Sequence, residues 1–333
     1  MGQRDSSPMH NFHLTLADLG RVGQDLHRPE CVLITASGDL YVSDERGGVT
    51  QIAPDGSTRL YTGHNEQGQP LAANGFALLA DGSFLVAPLC GGGVYRLFRD
   101  GRAEPWLQQA DGQTLHAPNF VLLDPQQRVW ICCLSQRPRT TMTSYSRQDR
   151  DGCIIRVDDQ GARIVADGIG FPNELRIHPS GRWLYTNETL AARLLRYPLH
   201  TDGSLGGAEE VAAFDESNLF DGFTLDREGG AWITTLVSNR LWYVAPDGRA
   251  RILIEEAHAD QLARLTQLQK YGSVPRALLY EEHGSQLRNI SSLAFGGPDL
   301  RTAYLGSLMG RQLLHFRSPV AGMRPAHWEF GPW

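Results

Sequence analysis

Six segments of this chain share one plan: a polar residue, an apolar run, a turn residue eight positions on, and a second apolar run. Glu30 opens ECVLITASGDLYVS, Asn74 opens NGFALLADGSFLVA and Asn119 opens NFVLLDPQQRVWIC. Asn173 opens NELRIHPSGRWLYT, Asp221 opens DGFTLDREGGAWIT and Ser291 opens SSLAFGGPDLRTAYL. The turn residues are Gly38, Gly82, Gln127, Gly181, Gly229 and Asp299. If the copies share one structure, their first residues converge on one axis. A ring of oxygen ligands with little positive charge then attracts a hard cation.

Each copy continues into further short strands. In the first these are CVLIT, LYVSD, VTQIA and TRLYT, separated by SG, GG and PDG, which are hairpin and turn signals. The 36 glycines and 18 prolines suit such a turn-rich all-β chain. Four-stranded units that recur along a chain indicate a six-bladed β-propeller. A β-sandwich explains the strands but not the constant place of the polar residue. The sixth unit has three strands of its own, so a strand from residues 11–19 (NFHLTLADL) is expected to complete it and close the ring. Residues 1–10 are expected to be a disordered tail and residues 11–333 one propeller domain.

Two insertions break the rhythm: residues 135–151 within the third unit and 255–288 between the fifth and sixth. The second carries apolar residues near helical spacing, Leu262, Leu265, Leu268 and Tyr271. Both leave the sheets at the end where the ring residues lie, so they are expected to roof the ring. Surface decoration is the alternative.

The net charge of −6 provides no basic field for nucleic acid. No run approaches the ~18 apolar residues of a membrane helix. The start, MGQRDSSPMH, has no apolar core of a secretory signal, although Gly2 and Ser6 fit the loose myristoylation pattern. The five cysteines include no C-x-x-C pair, which suits reduced thiols in a cytoplasmic protein. The expected partner is a small-molecule substrate, with neither nucleic acid nor membrane. Oligomeric state is not legible.

Within the ring, Glu30 and Asp221 offer carboxylates, and Asn119 and Asn173 neutral amide oxygens, a set suited to a hard divalent cation and not to a soft one. Turn capping alone is the competing explanation for each residue. His27 and His116 flank ring positions as candidate acid–base groups. Asn187 follows Asn173 as Asp44 follows Glu30, which makes Asn187 a candidate for the cavity wall. Arg137, Arg139, Arg147 and Arg150 of the first insertion are placed to meet an anionic substrate, or else form a solvated basic loop. Serine-hydrolase, zincin and P-loop motifs are absent.

Residues 25–325 resemble the gluconolactonase/senescence-marker-protein (regucalcin) family, through LHRPECVLITASGDLYVSD, FPNELRIHPSGRWLYTNE, NLFDGFTLDREGGAWIT and ISSLAFGGPDLRTAYLGSL. The resemblance implies a six-bladed propeller and a metal-dependent lactonase. It places the metal on Glu30, Asn173 and Asp221, with Asp221 also as general base and Asn119 as a further site residue. The implied cofactor is one divalent cation, calcium first, with zinc, manganese or magnesium as alternatives. An Arg common two positions before the third-unit Asn is here Ala117, and the Asp that follows that Asn is Phe120. Together with the insertions, this points away from gluconolactone itself and toward a less polar substrate or a different chemistry on the same metal. Asn74, Asn119, Asn187, His116 and Phe120 are the candidate substrate contacts. Other chemistries open to such a site are phosphotriester hydrolysis, a metal-assisted isomerisation or cyclisation, and non-catalytic binding.

Overall fold

Five of the six inner strands carry an irregularity at the ring residue, and this irregularity helps build the site. In blades 2 to 6 the pairing register shifts across Ala73/Phe76, Pro118/Phe120, Pro172/Leu175, Phe220/Phe223 and Ile290/Ser292. Asn74, Asn119, Asn173, Asp221 and Ser291 lie within these shifts. A bulge bends the strand and re-aims a side chain that would otherwise point between the sheets. Three ring positions are also approached through left-handed backbone two residues earlier, at Arg28 (φ 53°), Phe171 (φ 61°) and Asn289 (φ 60°). Such strain at non-glycine residues collects at functional sites.

The computed structural model describes residues 8–331 and 333. Six four-stranded antiparallel sheets surround one axis. Blade 1 holds Val32–Ile34, Leu40–Asp44, Gly48–Ile52 and Thr58–Thr62. The inner strands of blades 2 to 6 are Ala73–Leu78, Pro118–Leu123, Pro172–Ile177, Leu219–Leu225 and Ile290–Gly296. Apolar side chains fill the space between blades. Trp130 and Trp232 are wholly buried, and each indole N–H donates to an aspartate six residues earlier, Asp124 at 2.9 Å and Asp226 at 3.0 Å. Burial of each such large apolar side chain stabilises by about 1.5–3 kcal/mol. The cysteines are free thiols, four of them buried.

The ring is closed by an N-terminal strand, but a later one than residues 11–19. Gly20–Val22 pairs with Leu313–Arg317 as the outer strand of blade 6. A side chain at Gly20 would collide with the His315 ring opposite. Leu16–Asp18 instead forms a 3-10 turn, because the Thr15 backbone N–H and hydroxyl both donate to Asp18 Oδ2 at 2.7 Å. The expected disordered tail lies outside the described residues at 1–7, as does the Gly2/Ser6 pattern. Residues 8–10 form a turn, and Met9 is buried with Leu14 and Leu19 against Trp232, so the packed chain begins before residue 11. No described helix is long and apolar enough to cross a membrane.

Five of the six expected turn residues are left-handed: Gly38, Gly82, Gln127, Gly181 and Gly229. In blade 6 the position moves one residue on, from Asp299 to Leu300 (φ 55°), whose N–H donates to Gly297 O. Gln127 holds φ 63° without being glycine. Gln127→Gly is expected to raise stability by roughly 0.5 kcal/mol, left-handed strain outweighing the added unfolded-state entropy. A denaturant midpoint at or below the wild-type value would refute this.

Both insertions cover the ring face and are joined to each other. Ser144–Tyr145 of the first pairs with Val274–Pro275 of the second, and Arg276 N–H donates to Thr143 O at 2.9 Å. The second insertion holds the one α-helix among the described residues, α1, Ala259–Lys270. Leu265 on its buried face meets Val274, Leu278, Leu219, Leu236 and Leu308. The helical spacing overran by one residue: Tyr271 caps the helix and is 88% exposed.

Candidate functional site

The five side chains of the ring form one hydrogen-bonded arc between two carboxylates. Asn74 Nδ2 donates to Glu30 Oε1 at 3.0 Å and to Asn119 Oδ1 at 2.8 Å. Asn119 Nδ2 donates to Asn173 Oδ1 at 3.2 Å, and Asn173 Nδ2 to Asp221 Oδ1 at 2.8 Å. The sixth position, Ser291, is tied to the start of the arc, its hydroxyl donating to the Glu30 backbone O at 2.9 Å. Every member is buried. Above them lies a cavity of about 50 Å3, walled by the ring and by Arg28, Arg139, Tyr145, Arg276 and Tyr280. Ligand pockets commonly measure ~300–1,000 Å3. The cavity as it stands is smaller than a sugar-sized ligand needs.

One oxygen of each carboxylate is left over. Glu30 Oε2 and Asp221 Oδ2 are buried without a hydrogen-bond partner. Burial raises the Glu30 carboxyl against the pull of Arg28 and Arg139. Burial, together with the charges of Glu30 and Glu174, raises Asp221 well above the usual carboxylate range. Two unsatisfied anionic oxygens facing one cavity, with the Asn173 amide between them, fit a hard divalent cation. Among the described residues no three His, Cys, Asp or Glu side chains come together, so any such set has an amide as its third member.

Beneath the ring lies Glu174, whose Oε2 accepts from Arg176 at 2.7 Å and from Phe223 N–H at 3.1 Å. Burial outweighs both contacts and raises its carboxyl to about 7. The folded state thus holds a proton that the unfolded chain releases near 4.5. Stability is expected to fall as pH rises from about 4.5 toward 7 and to level off above. In chelator, Glu174→Gln is expected to flatten that slope between pH 5 and 8. Unfolding curves parallel to wild type would remove Glu174 as its source.

The sequence model of the SMP-30/Gluconolactonase/LRE-like region matches residues 24–260. The chain belongs to this family. Its relatives include the 6-deoxy-6-sulfogluconolactonase of Pseudomonas putida, 27% identical over 70% of this chain and 67% of that protein. The pentonolactonase of Haloferax volcanii is 26% identical over 71% of this chain and 67% of its own. Among solved structures, a gluconolactonase from Xanthomonas campestris superposes with TM-score 0.64 at 18% identity, covering 92% of this chain and 94% of that one. The calcium-binding protein regucalcin of Agrobacterium tumefaciens gives TM-score 0.63 at 18% identity, covering 94% and 97%. At this identity the structural likeness concerns the propeller alone.

In this family member the positions read from the repeats sort into two groups. Glu30, Asn74, Asn119, Asn173 and Asp221 all line the cavity. Asn74 and Asn119 have their amide groups engaged within the arc: Arg28 Nη2 donates to Asn74 Oδ1 and Arg139 Nη2 to Asn119 Oδ1, both at 2.9 Å. These bonds tie the ring together.

Three expected contacts lie elsewhere. Asn187 is wholly buried behind the ring, its Oδ1 accepting from Glu174 N–H and its Nδ2 donating to Asp221 O, so it braces the strand and does not line the cavity. Phe120 points away from the ring, under the Arg176 guanidinium at 4.6 Å, and lines a separate cavity of about 270 Å3 at the opposite end of the axis, so it gives no ground for the expected less polar substrate. Strand alternation explains this, since a bulge that turns Asn119 to the axis sends its neighbour the other way. His116 is half-buried beside Gly92, and His27 lies 3.8 Å from Glu45; neither lines the ring cavity. Missed entirely were Arg28, Arg276, Tyr145 and Tyr280. Only Arg28 left a local signal, a charged residue just before Pro29-Glu30.

Proposed function

We propose that this protein opens a lactone by hydrolysis, with a divalent cation, calcium first, held by Glu30, Asn173 and Asp221. The observation that carries this reading is the pair of buried oxygens without a hydrogen-bond partner, Glu30 Oε2 and Asp221 Oδ2, on one amide-lined cavity. Family membership supports the reaction class, and the names of the relatives include a sulfo-substituted gluconolactone and a pentonolactone as their substrates. When bound, the cation supplies Lewis-acid polarisation of the ester carbonyl.

The protein's own part is positional and acid–base. Asn173 Nδ2 holds the Asp221 carboxylate in place through Oδ1, and Asp221 serves as the general base that takes a proton from the attacking water. Asn74 and Asn119 keep the two carboxylates at a set separation through the arc. Tyr145, Arg276 and Tyr280 cover the cavity and exclude bulk water. A panel of five- and six-membered sugar lactones, assayed with and without chelator, tests the proposal. At least one lactone is expected to turn over, with the rate lost in chelator and restored by calcium. A metal-replete, folded protein inert on the whole panel would refute it.

A further inference from the structure

We propose that the lactone taken by this cavity carries an anionic substituent, a carboxylate, phosphate or sulfonate, received by Arg28 and Arg139; this rests on the lactonase reading of the same cavity. Both guanidiniums are buried, with 7% and 8% of their residues' surface exposed, and both line the cavity. A buried cation is costly unless paired and fully hydrogen-bonded. Neither meets that condition. Arg28 Nη1 stands 3.6 Å from Glu30 Oε2, beyond hydrogen-bond reach, and its Nε and Nη1 have no partner. Arg139 spends Nη2 on two neutral acceptors, Pro118 O and Asn119 Oδ1, and its Nε has none.

The neighbours of Arg139 in the first insertion show that this is particular to it. Arg137 pairs with Asp149 at 2.8 Å, Arg147 with Glu216 at 3.1 Å and Arg150 with Glu188 at 3.2 Å. Among the described residues Arg139 makes no ion pair, yet it is the one of the four that enters the cavity. Arg276 adds a third guanidinium to the wall and donates Nη1 to Arg139 O at 3.0 Å, which holds Arg139 in place.

Charge balance points the same way. Three arginines face two carboxylates around the cavity. A divalent cation on Glu30 and Asp221 would offset both carboxylates and leave Arg28 without its one acidic neighbour. The hydroxyls of a neutral sugar can accept hydrogen bonds but cannot restore the balance. An oxyanion accepts hydrogen bonds and also offsets positive charge, and the planar fork of arginine matches it in pairs of N–H···O bonds.

Calorimetric titration of the intact protein, calcium-saturated and in chelator, tests this with stable sugars in place of lactones. The probes are glucose, glucuronate, glucose 6-phosphate and 6-deoxy-6-sulfoglucose. At least one anionic sugar is expected to bind the calcium-saturated protein ten times more tightly than glucose, and the strongest of the three identifies the oxyanion. Arg139→Gln is expected to reduce that preference to threefold or less, and Arg139→Lys to recover part of it, because charge returns without the fork. Equal affinities for charged and uncharged sugars, or binding of none of them by a protein with a normal melting curve, would overturn the inference. The lactone panel separates the two readings. Turnover of neutral lactones without anion preference in calorimetry sinks this inference alone. Anion preference without turnover sinks the hydrolytic reading and leaves standing only the anion-binding role of Arg28 and Arg139.

Discussion

Asp221→Asn is expected to lower lactone turnover at least 100-fold and, at the same time, to raise the melting temperature of the metal-free protein. The first effect follows from loss of a positioned base, a group commonly worth about 10²–10⁴ in rate. The second follows from where the carboxylate sits. Its Oδ2 is buried without a partner, and burial holds its carboxyl well above the usual range. Replacement by an amide removes a charge that the fold tolerates poorly, and the Asn173 contact can persist with the amide oxygen as acceptor. For a carboxyl raised on folding, the destabilisation appears as pH rises above the unfolded value of 3.8, so the gain should be larger at pH 7 than at pH 4. Melting curves in chelator at both pH values, alongside single-lactone kinetics in excess calcium, give both readouts. Near-normal turnover in a metal-loaded mutant would remove Asp221 as base. An unchanged or lower melting temperature in chelator would show that the carboxylate is better accommodated than its contacts indicate.

Replacement of residues 255–288 by a short Gly/Ser linker is expected to abolish activity and to cost stability as well. From the sequence this insertion is a removable cover. The fold makes it a wall of the site and a second small core. Leu265, Val274 and Leu278 are buried against Leu219, Leu236 and Leu308 of the blades. Each contributes about 1.5–3 kcal/mol by burial, partly offset by the order imposed on the chain. Deletion also strips Arg276 and Tyr280 from the cavity and unpairs Ser144–Tyr145, so Arg139 loses its support. A fall in melting temperature of about 5 °C or more is expected, since roughly 1 kcal/mol corresponds to ~2–4 °C in domains of 150–250 residues. A variant with wild-type melting, rate and selectivity would show the insertion to be decoration. Failure of the propeller to form, read from circular dichroism, would show that the second core is part of the folding unit.

The propeller and its ring were legible in the sequence because both repeat. A polar residue in constant register recurs by position, and Glu30, Asn74, Asn119, Asn173 and Asp221 could be read off without a single contact. Turn positions were equally open, as five of the six expected turn residues lie in left-handed turn backbone. Features that occur once were read less well. Residues 11–19 alternate like a strand, yet one Thr15–Asp18 hydrogen-bonded turn was enough to pass the closing strand to Gly20–Val22.

Side-chain direction was decided only by the tertiary structure. The bulge in the third inner strand sends Asn119 to the ring and Phe120 to the opposite mouth, and spacing alone cannot tell which neighbour turns. The same holds for the arginines. Arg137, Arg139, Arg147 and Arg150 are alike as sequence, and the acids that claim three of them lie outside or across their own loop. What the chain determined by itself was therefore whatever follows from local period and backbone preference. The direction of each polar group into the cavity, and which charges were left without partners there, depended on contacts between distant segments, which no local pattern encodes.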